Sequence, residues 1–198
     1  MPLKKLGVLA LQGSYREHIA SLKRLDNVEA VEVKTLDELN SIHGLIIPGG
    51  ESTTMLKLLY DFGLLEPLRN RIKAGMAVWG TCAGLILLAE KVSGEELSNL
   101  AVLSVTVRRN AYGSQLDSFI ARKVISEVSS EQLELVFIRA PWVEDVYGDA
   151  KVLAEHEGKI IAVKQDKIVG TSFHPELTQD LAFHRYFAGL CDEKILKE

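Results

Sequence analysis

Residues 76–92 read MAVWGTCAGLILLAEKV: a short apolar run, a cysteine flanked by small residues, and a second run with apolar residues at helical spacing. MAVW has the length and composition of a buried strand, and AGLILLAEKV those of a helix. On that reading Cys82 falls on the turn between them, with Gly80 and Gly84 two positions to either side. Gly-x-Cys-x-Gly is the cysteine form of a nucleophile elbow, where the turn is sharp and the helix packs close to its strand. A side chain on such a turn projects over the carboxyl edge of the sheet, where open α/β folds bind ligands. The helix start behind it favours negative charge, as a thiolate requires. A small buried thiol beside a glycine-rich strand end would have the same local pattern.

Outward from this turn, the first half of the chain repeats the alternation. LGVLAL (6–11) reads as a strand and SYREHIASLKRL (14–25) as a helix, with Ile19, Leu22 and Leu25 on one face and Ser14 as N-cap. VEAVEV (28–33) is the next strand, TLDELNSI (35–42) a short helix, and HGLII (43–47) a strand stopped at Pro48. STTMLKLLYDF and LLEPLRNRIKAG read as two helices, the second closed by Gly75. Strands separated by helices of this length predict a mostly parallel open sheet covered on both faces. The second half is richer in strands, in LAVLSVTVRRN, LDSFIARKVI, LELVFIRAP and KVLAEHEGKIIAVKQDKIVGTSFHP. There Glu157-Gly158 and Asp166-Lys167 sit at hairpin turns. A last helix is predicted over TQDLAFHRYFAGLCDEKIL. The expected fold is one α/β domain over 1–198 with an antiparallel section in its second half.

Bulk composition narrows the function. The 198 residues are 47% apolar and 25% charged, with a formal charge of −4 and no basic block, which argues against nucleic acid as a partner. No apolar run approaches membrane-spanning length. LGVLAL is too short for a signal h-region and runs straight into Gln12-Gly13. Two cysteines make no disulfide framework, so a cytoplasmic setting is expected.

A thiolate nucleophile needs a proton acceptor, usually a histidine held by a third group. Of the five histidines, His18 and His184 fall on predicted helices, His43 precedes a strand and His156 lies at a hairpin, all readable as packing or surface residues. His174 ends the apolar strand IVGTSF and is followed by Pro175 and Glu176. In an extended segment residues two apart share a side, so Glu176 reaches the imidazole. Its carboxylate would fix the ring tautomer and stabilise the imidazolium. A second strand end, IIPGGESTT (46–54), carries Gly49 and Gly50, whose backbone N–H groups, with that of Ala83, could hold a developing oxyanion. Ser52 or Thr53 there also reads as a helix cap. Cys191, on the last helix, has no such frame and reads as structural.

Together these pieces resemble the class I (triad) glutamine amidotransferases, marked by G-x-C-x-G and a later H-x-E. The similarity is greatest to the glutaminase subunits of pyridoxal 5′-phosphate synthases. It is carried by GVLALQG (7–13), REH (16–18), LIIPGGESTTM (45–55), GTCAGLILLA (80–89), RRNAYG (108–113), QLDSF (115–119), FIRAP (137–141) and SFHPELT (172–178). The resemblance implies a flavodoxin-like fold, with Cys82 as nucleophile, His174 as acid/base and Glu176 as its orienter. It implies that Gly50, Glu51, Ser52, Arg109, Ile138 and Arg139 contact bound L-glutamine. An arginine suits a substrate that carries a carboxylate. One departure is Ser114, where the family usually has arginine before the glutamine.

The implied chemistry hydrolyses L-glutamine to L-glutamate and ammonia, with no metal or cofactor needed for that step. The ammonia would pass to a separate (β/α)8-barrel synthase subunit in a large hetero-oligomer, whose docking reorganises the PGGES loop. Alternatives are a glutaminase subunit of another pathway, such as imidazole glycerol phosphate synthase, a cysteine peptidase of related fold, or a non-catalytic regulatory subunit.

Overall fold

The structure is a computed structural model that describes residues 3–96, 99–109 and 118–191. Ser114 and most of the RRNAYG and QLDSF strings lie outside the described residues. The chain opens with β1 (Lys4–Leu9), α1 (Tyr15–Leu22), β2 (Val28–Val33), α2 (Leu36–Asn40) and β3 (Gly44–Ile47). It continues through α3 (Ser52–Asp61), α4 (Leu65–Lys73), β4 (Ala77–Thr81), α5 (Ala83–Leu88) and β5 (Ala89–Val92). Six strands then follow almost without helix: β6 (Leu103–Arg108), β7 (Ser118–Ile125), β8 (Ser129–Ile138), β9 (Trp142–Val146), β10 (Lys151–His156) and β11 (Lys159–Gln165). After β12 (Ile168–Thr171) come a single 3-10 turn (Pro175–Leu177) and α6 (Ala182–Leu190).

The main sheet runs β2-β1-β3-β4-β12-β11-β9-β6-β5, with β10 added against β11, while β7 and β8 form a separate hairpin. Strands β2, β1, β3, β4 and β12 are mutually parallel, and β12-β11-β9-β6 pair antiparallel. The predicted mixture of a parallel first half and an antiparallel second half is therefore observed. Alternation along the central strands divides the core. On β3, Leu45 and Ile47 enter a layer with Met55 and Leu59 of α3, Leu68 and Ile72 of α4, and all the leucines of α5. Ile46, between them, enters the opposite layer with Trp79, Ile19 and Leu22 of α1, Phe183 and Phe187 of α6, and Phe137 of the hairpin. Period-two side-chain direction thus puts helices on both faces. Among the described residues, no helix is long and apolar enough to cross a membrane.

Two predicted elements need correction, and one strand was missed. The helix expected over 83–92 stops at Leu88, and Ala89–Val92 is a strand paired in parallel with β6. Ala89 and Val92 are buried at either end of AEKV, a spacing that suits a helix turn or a four-residue strand equally, and the distant β6 decides. The last helix begins at Ala182, four residues later than expected, because Thr178 and Asp180 turn their side chains onto the backbone amides of Asp180 and Ala182. Residues 192–198 lie outside the described residues. Strand β9 was not expected, and its PWVEDV sequence, with proline before and two acids within, carries little strand signal. Elsewhere local rules suffice. Thr35 and Glu38 form a reciprocal capping box on α2, and Glu157-Gly158 turns β10 into β11 with both residues at positive φ, 50° and 74°.

Candidate active site

Cys82 sits between β4 and α5 with φ 50° and ψ −104°, a conformation that a non-glycine residue holds only under constraint. The constraint is visible on both sides. Its N–H donates to the Thr171 carbonyl on β12 at 2.8 Å, and its own carbonyl accepts from Ile86 at 3.3 Å in the first turn of α5. A methyl group at Gly80 would lie 2.4 Å from the Gly84 carbonyl carbon, and one at Gly84 would lie 2.1 Å from the Ile47 carbonyl oxygen. The two glycines therefore let the turn close and α5 press onto the ends of β3 and β4. The sulfur is nearly buried, 3.9 Å from the Ile138 carbonyl oxygen, and opens onto a cleft of ≈ 570 Å³.

His174 follows the end of β12, and its N–H donates to the Val136 carbonyl of β8 at 2.8 Å. The segment after it is not extended, contrary to expectation. Pro175, with its φ fixed, begins a 3-10 turn over Pro175–Leu177. The contact expected across two residues is made all the same, with His174 Nδ1 2.7 Å from Glu176 Oε1. Burial opposes charge on His174, but hydrogen bonding to Cys82 and to Glu176 outweighs it and raises its pKa to about 10. Burial likewise works to raise the Glu176 pKa. The histidines His18 and His174 and the Ser14 hydroxyl overcome it and hold the carboxyl at about 2. The pair is thus an imidazolium against a carboxylate in a nearly dry setting.

Two loops interlock beside the sulfur. The Gly49 carbonyl accepts from Ser14 N–H at 2.9 Å, and Glu51 N–H donates to Gln12 Oε1 at 2.9 Å. A methyl at Gly49 would stand 2.3 Å from His174 Cε1 and 3.4 Å from Cys82 Cβ, so only a bare backbone fits between loop and imidazole. Ala83 opens α5, where the first amides of a helix have no partner within it.

Apart from Glu176, which lies behind His174, every site residue expected from sequence lines the same cleft: Gly49, Gly50, Glu51, Ser52, Cys82, Ala83, Arg109, Ile138, Arg139 and His174. Two differ in detail from expectation. The cap of α3 is neither Ser52 nor Thr53 but Glu51, whose carboxylate accepts from the N–H of Thr53 at 3.2 Å and of Thr54 at 2.7 Å. Burial would raise the Glu51 pKa, yet these bonds and the Thr54 hydroxyl leave it lowered. Arg109 is held at the rim by Glu95 at 2.8 Å and faces Glu51 at 3.6 Å. Arg139 has φ 41°, where the chain turns out of β8. Cys191 is buried, and its thiol donates to the Phe187 carbonyl at 3.4 Å.

Ser14, Gln12 and Gly13 also line the cleft, and sequence reasoning does not mark them as site residues. Ser14 occupies the N-cap position of α1, but its hydroxyl makes no cap bond and donates instead to Glu176 Oε1 at 2.8 Å. A cap-type serine looks the same in sequence whichever acceptor it chooses; only its place directly after GVLALQG hints at more.

The chain is similar to known proteins. The profile of the SNO glutamine amidotransferase family matches residues 8–193. The pyridoxal 5′-phosphate synthase subunit PdxT of Ruminiclostridium cellulolyticum is 50% identical over 186 residues, covering 94% of this chain and 98% of the relative. That of Carboxydothermus hydrogenoformans is 47% identical over 193 residues, 98% of each chain. A crystal structure described as a glutamine amidotransferase superposes with a TM-score of 0.88 at 43% identity, over 93% of this chain and 97% of the other. A chain of PurLQS from Thermotoga maritima, at 14% identity and TM-score 0.67 over 96% of this chain and 99% of the other, shares the fold. A profile match across nearly the whole sequence and relatives about half identical and covered almost end to end leave one assignment: the chain belongs to the SNO glutamine amidotransferase family.

Proposed function

We propose that this chain hydrolyses L-glutamine to L-glutamate and ammonia, as the glutaminase subunit of a pyridoxal 5′-phosphate synthase, and that residues 1–198 work as one amidotransferase domain. The observation that carries the reading is that Cys82 and His174 line one cleft, with Glu176 bonded to His174 behind it, in a family member.

In this mechanism Cys82 Sγ attacks the side-chain carbonyl carbon of glutamine. The developing oxyanion is met by backbone N–H groups of the Gly49-Gly50 segment and of Ala83. His174, protonated and held by Glu176, gives its proton to the leaving nitrogen, and the carbon–nitrogen bond breaks to release ammonia. The γ-glutamyl thioester that remains is attacked by water, whose proton returns to His174, and glutamate leaves with Cys82 restored as thiolate. Gly50, Glu51, Ser52, Arg109, Ile138 and Arg139 seat the amino-acid end of the substrate; the guanidiniums supply charge for its carboxylate. Arg109 is engaged by Glu95 and Glu51, so substrate must compete with these carboxylates for it.

Ammonia released to bulk water would be protonated and lose its nucleophilicity. We therefore assign the product to a separate (β/α)8-barrel synthase subunit in a hetero-oligomer, assembled in the cytoplasm. The test is glutamate release from glutamine by the chain with and without the purified synthase. Stimulation by the synthase, abolished by Cys82→Ala with complex formation retained, supports the reading. Turnover indifferent to the synthase, or intact in Cys82→Ala, overturns it.

A further inference from the structure

Glu176 has two carboxylate oxygens, and the hydrolytic mechanism uses one. Oε1 accepts from His174 Nδ1 and from the Ser14 hydroxyl. Oε2 is sealed from solvent and has no hydrogen-bond partner of good geometry. Facing it at 3.4 Å is Nε2 of His18, a fully buried residue of α1. The same nitrogen is 3.2 Å from Thr81 Oγ1, one residue before the nucleophile. Behind it His18 Nδ1 lies 3.0 Å from Nε2 of His184, fully buried on α6, and Trp79 presents contacts at 81° and 76° to the two rings.

Two neutral arrangements satisfy the histidine–histidine contact. In one, His18 Nδ1–H donates to His184. Its Nε2 lone pair then faces the Glu176 carboxylate in a dry interior, a repulsive encounter, and His184 Nδ1 becomes a stranded N–H. In the other, His184 Nε2–H donates to His18 Nδ1, and His18 turns an Nε2–H toward Thr81 and Glu176 Oε2. The second places positive polarity against the anion and leaves only a bare lone pair on His184. Both rings are kept neutral: burial lowers the His18 pKa against the pull of Glu176, and burial lowers that of His184 to about 3. Neutrality has a use. A cation at His18 would cancel the charge that Glu176 offers His174, whereas an N–H dipole orients the carboxylate and leaves its charge in place.

We propose that His18, set in its Nε2–H tautomer by His184, is a positioning residue that fixes the second oxygen of Glu176 so that the first faces His174. This rests on the catalytic reading of Cys82, His174 and Glu176, and it adds two residues far apart in sequence to the support of that triad.

The experiment has two arms. In the first, ¹⁵N-edited NMR of the wild-type chain at pH 7 reads the tautomers directly: the expected proton positions are Nε2 on His18 and Nε2 on His184. A proton on His18 Nδ1, or a doubly protonated His18, overturns the proposal. This arm needs no variant and is independent of glutamine turnover. In the second, glutamine hydrolysis is measured in the presence of the synthase for His18→Phe and His18→Gln. His18→Phe keeps a ring but no donor, and kcat is expected to fall about 10- to 100-fold with KM within about twofold. His18→Gln returns an N–H at comparable reach and should recover most of the loss. Equal losses in both variants, or a wild-type kcat in His18→Phe, count against it. A wild-type chain that turns over no glutamine would sink the functional reading and leave the tautomer result standing.

Discussion

Ser14 and Glu176 are joined by a 2.8 Å hydrogen bond between the start of α1 and the turn after β12, and the same serine's N–H holds the Gly49 carbonyl at 2.9 Å. One residue thus ties the glycine loop to the carboxylate behind the imidazole. Ser14→Ala removes a hydroxyl donor from a buried carboxylate while leaving the backbone bond. A hydrogen bond to a charged group contributes about 1.5–3 kcal/mol, so kcat for glutamine should drop about tenfold or more. Circular dichroism should show the fold intact. Unchanged turnover would mean that His174 and His18 hold Glu176 unaided.

Gly49→Ala tests the closeness of loop and imidazole. The new methyl would have to occupy space 2.3 Å from His174 Cε1, so the ring must swing or the loop must lift. Hydrolysis is expected to fall by about 10²-fold or more, the scale of misplacing a reacting group by about an ångström. Thermal midpoint should move far less than activity.

Gly84→Ala is the converse case, a change felt by the fold. Its methyl would meet the Ile47 carbonyl oxygen at 2.1 Å, a backbone atom with nowhere to go. Destabilisation of about 3 kcal/mol is expected, at the upper end for overpacking. Gly189, on α6 with nothing within 4 Å of an added methyl, is the control. Gly189→Ala should gain about 0.5–1 kcal/mol from helix propensity. Urea midpoints of the two variants against wild type decide it.

Acid should unfold this protein early. His184 is held neutral in the fold to about pH 3, whereas its ordinary value is 6.5. The unfolded chain therefore takes up a proton that the folded one refuses, and stability declines as pH falls from 6.5 toward 3. His18 is lowered in the same sense by burial. Each adds a slope of up to about 1.4 kcal/mol per pH unit. Glu176, lowered from 4.5 to about 2, contributes stability that is present above 4.5 and lost on descent toward 2. On the alkaline side the raised His174 contributes fully below 6.5 and loses its share as pH rises through about 10. Urea midpoints should fall steadily as pH drops from 6.5 to 4.5; a flat profile over that range would contradict the buried neutral pair.

Much of the fold is legible where local signals suffice. VEAVEV marks the bounds of β2, and Glu157-Gly158 the hairpin between β10 and β11, because alternation and positive φ are written in neighbouring residues. The misread elements are settled at a distance. AEKV becomes a strand only through β6, and PWVEDV only through β6 and β11. In the site, the elbow glycines and the His174–Glu176 pair stand out by spacing. His18 and His184 do not: they are 166 residues apart and read as packing residues, which they are, while His18 also faces the Glu176 carboxylate and His184 backs His18. Ser14 reads as a cap, since sequence shows its hydroxyl but not the acceptor that it chooses.

Strand β12, which leads into His174, fills the middle of the sheet between β4 and β11, and the indole of Trp79 is fastened to the Thr171 hydroxyl 92 residues onward. Closing so long a loop is a slow event in folding. During refolding from denaturant, secondary structure and collapse should therefore return first, and turnover only when this last central ribbon slots home. Recovered activity is then a clock for the final step, silent for every half-assembled intermediate.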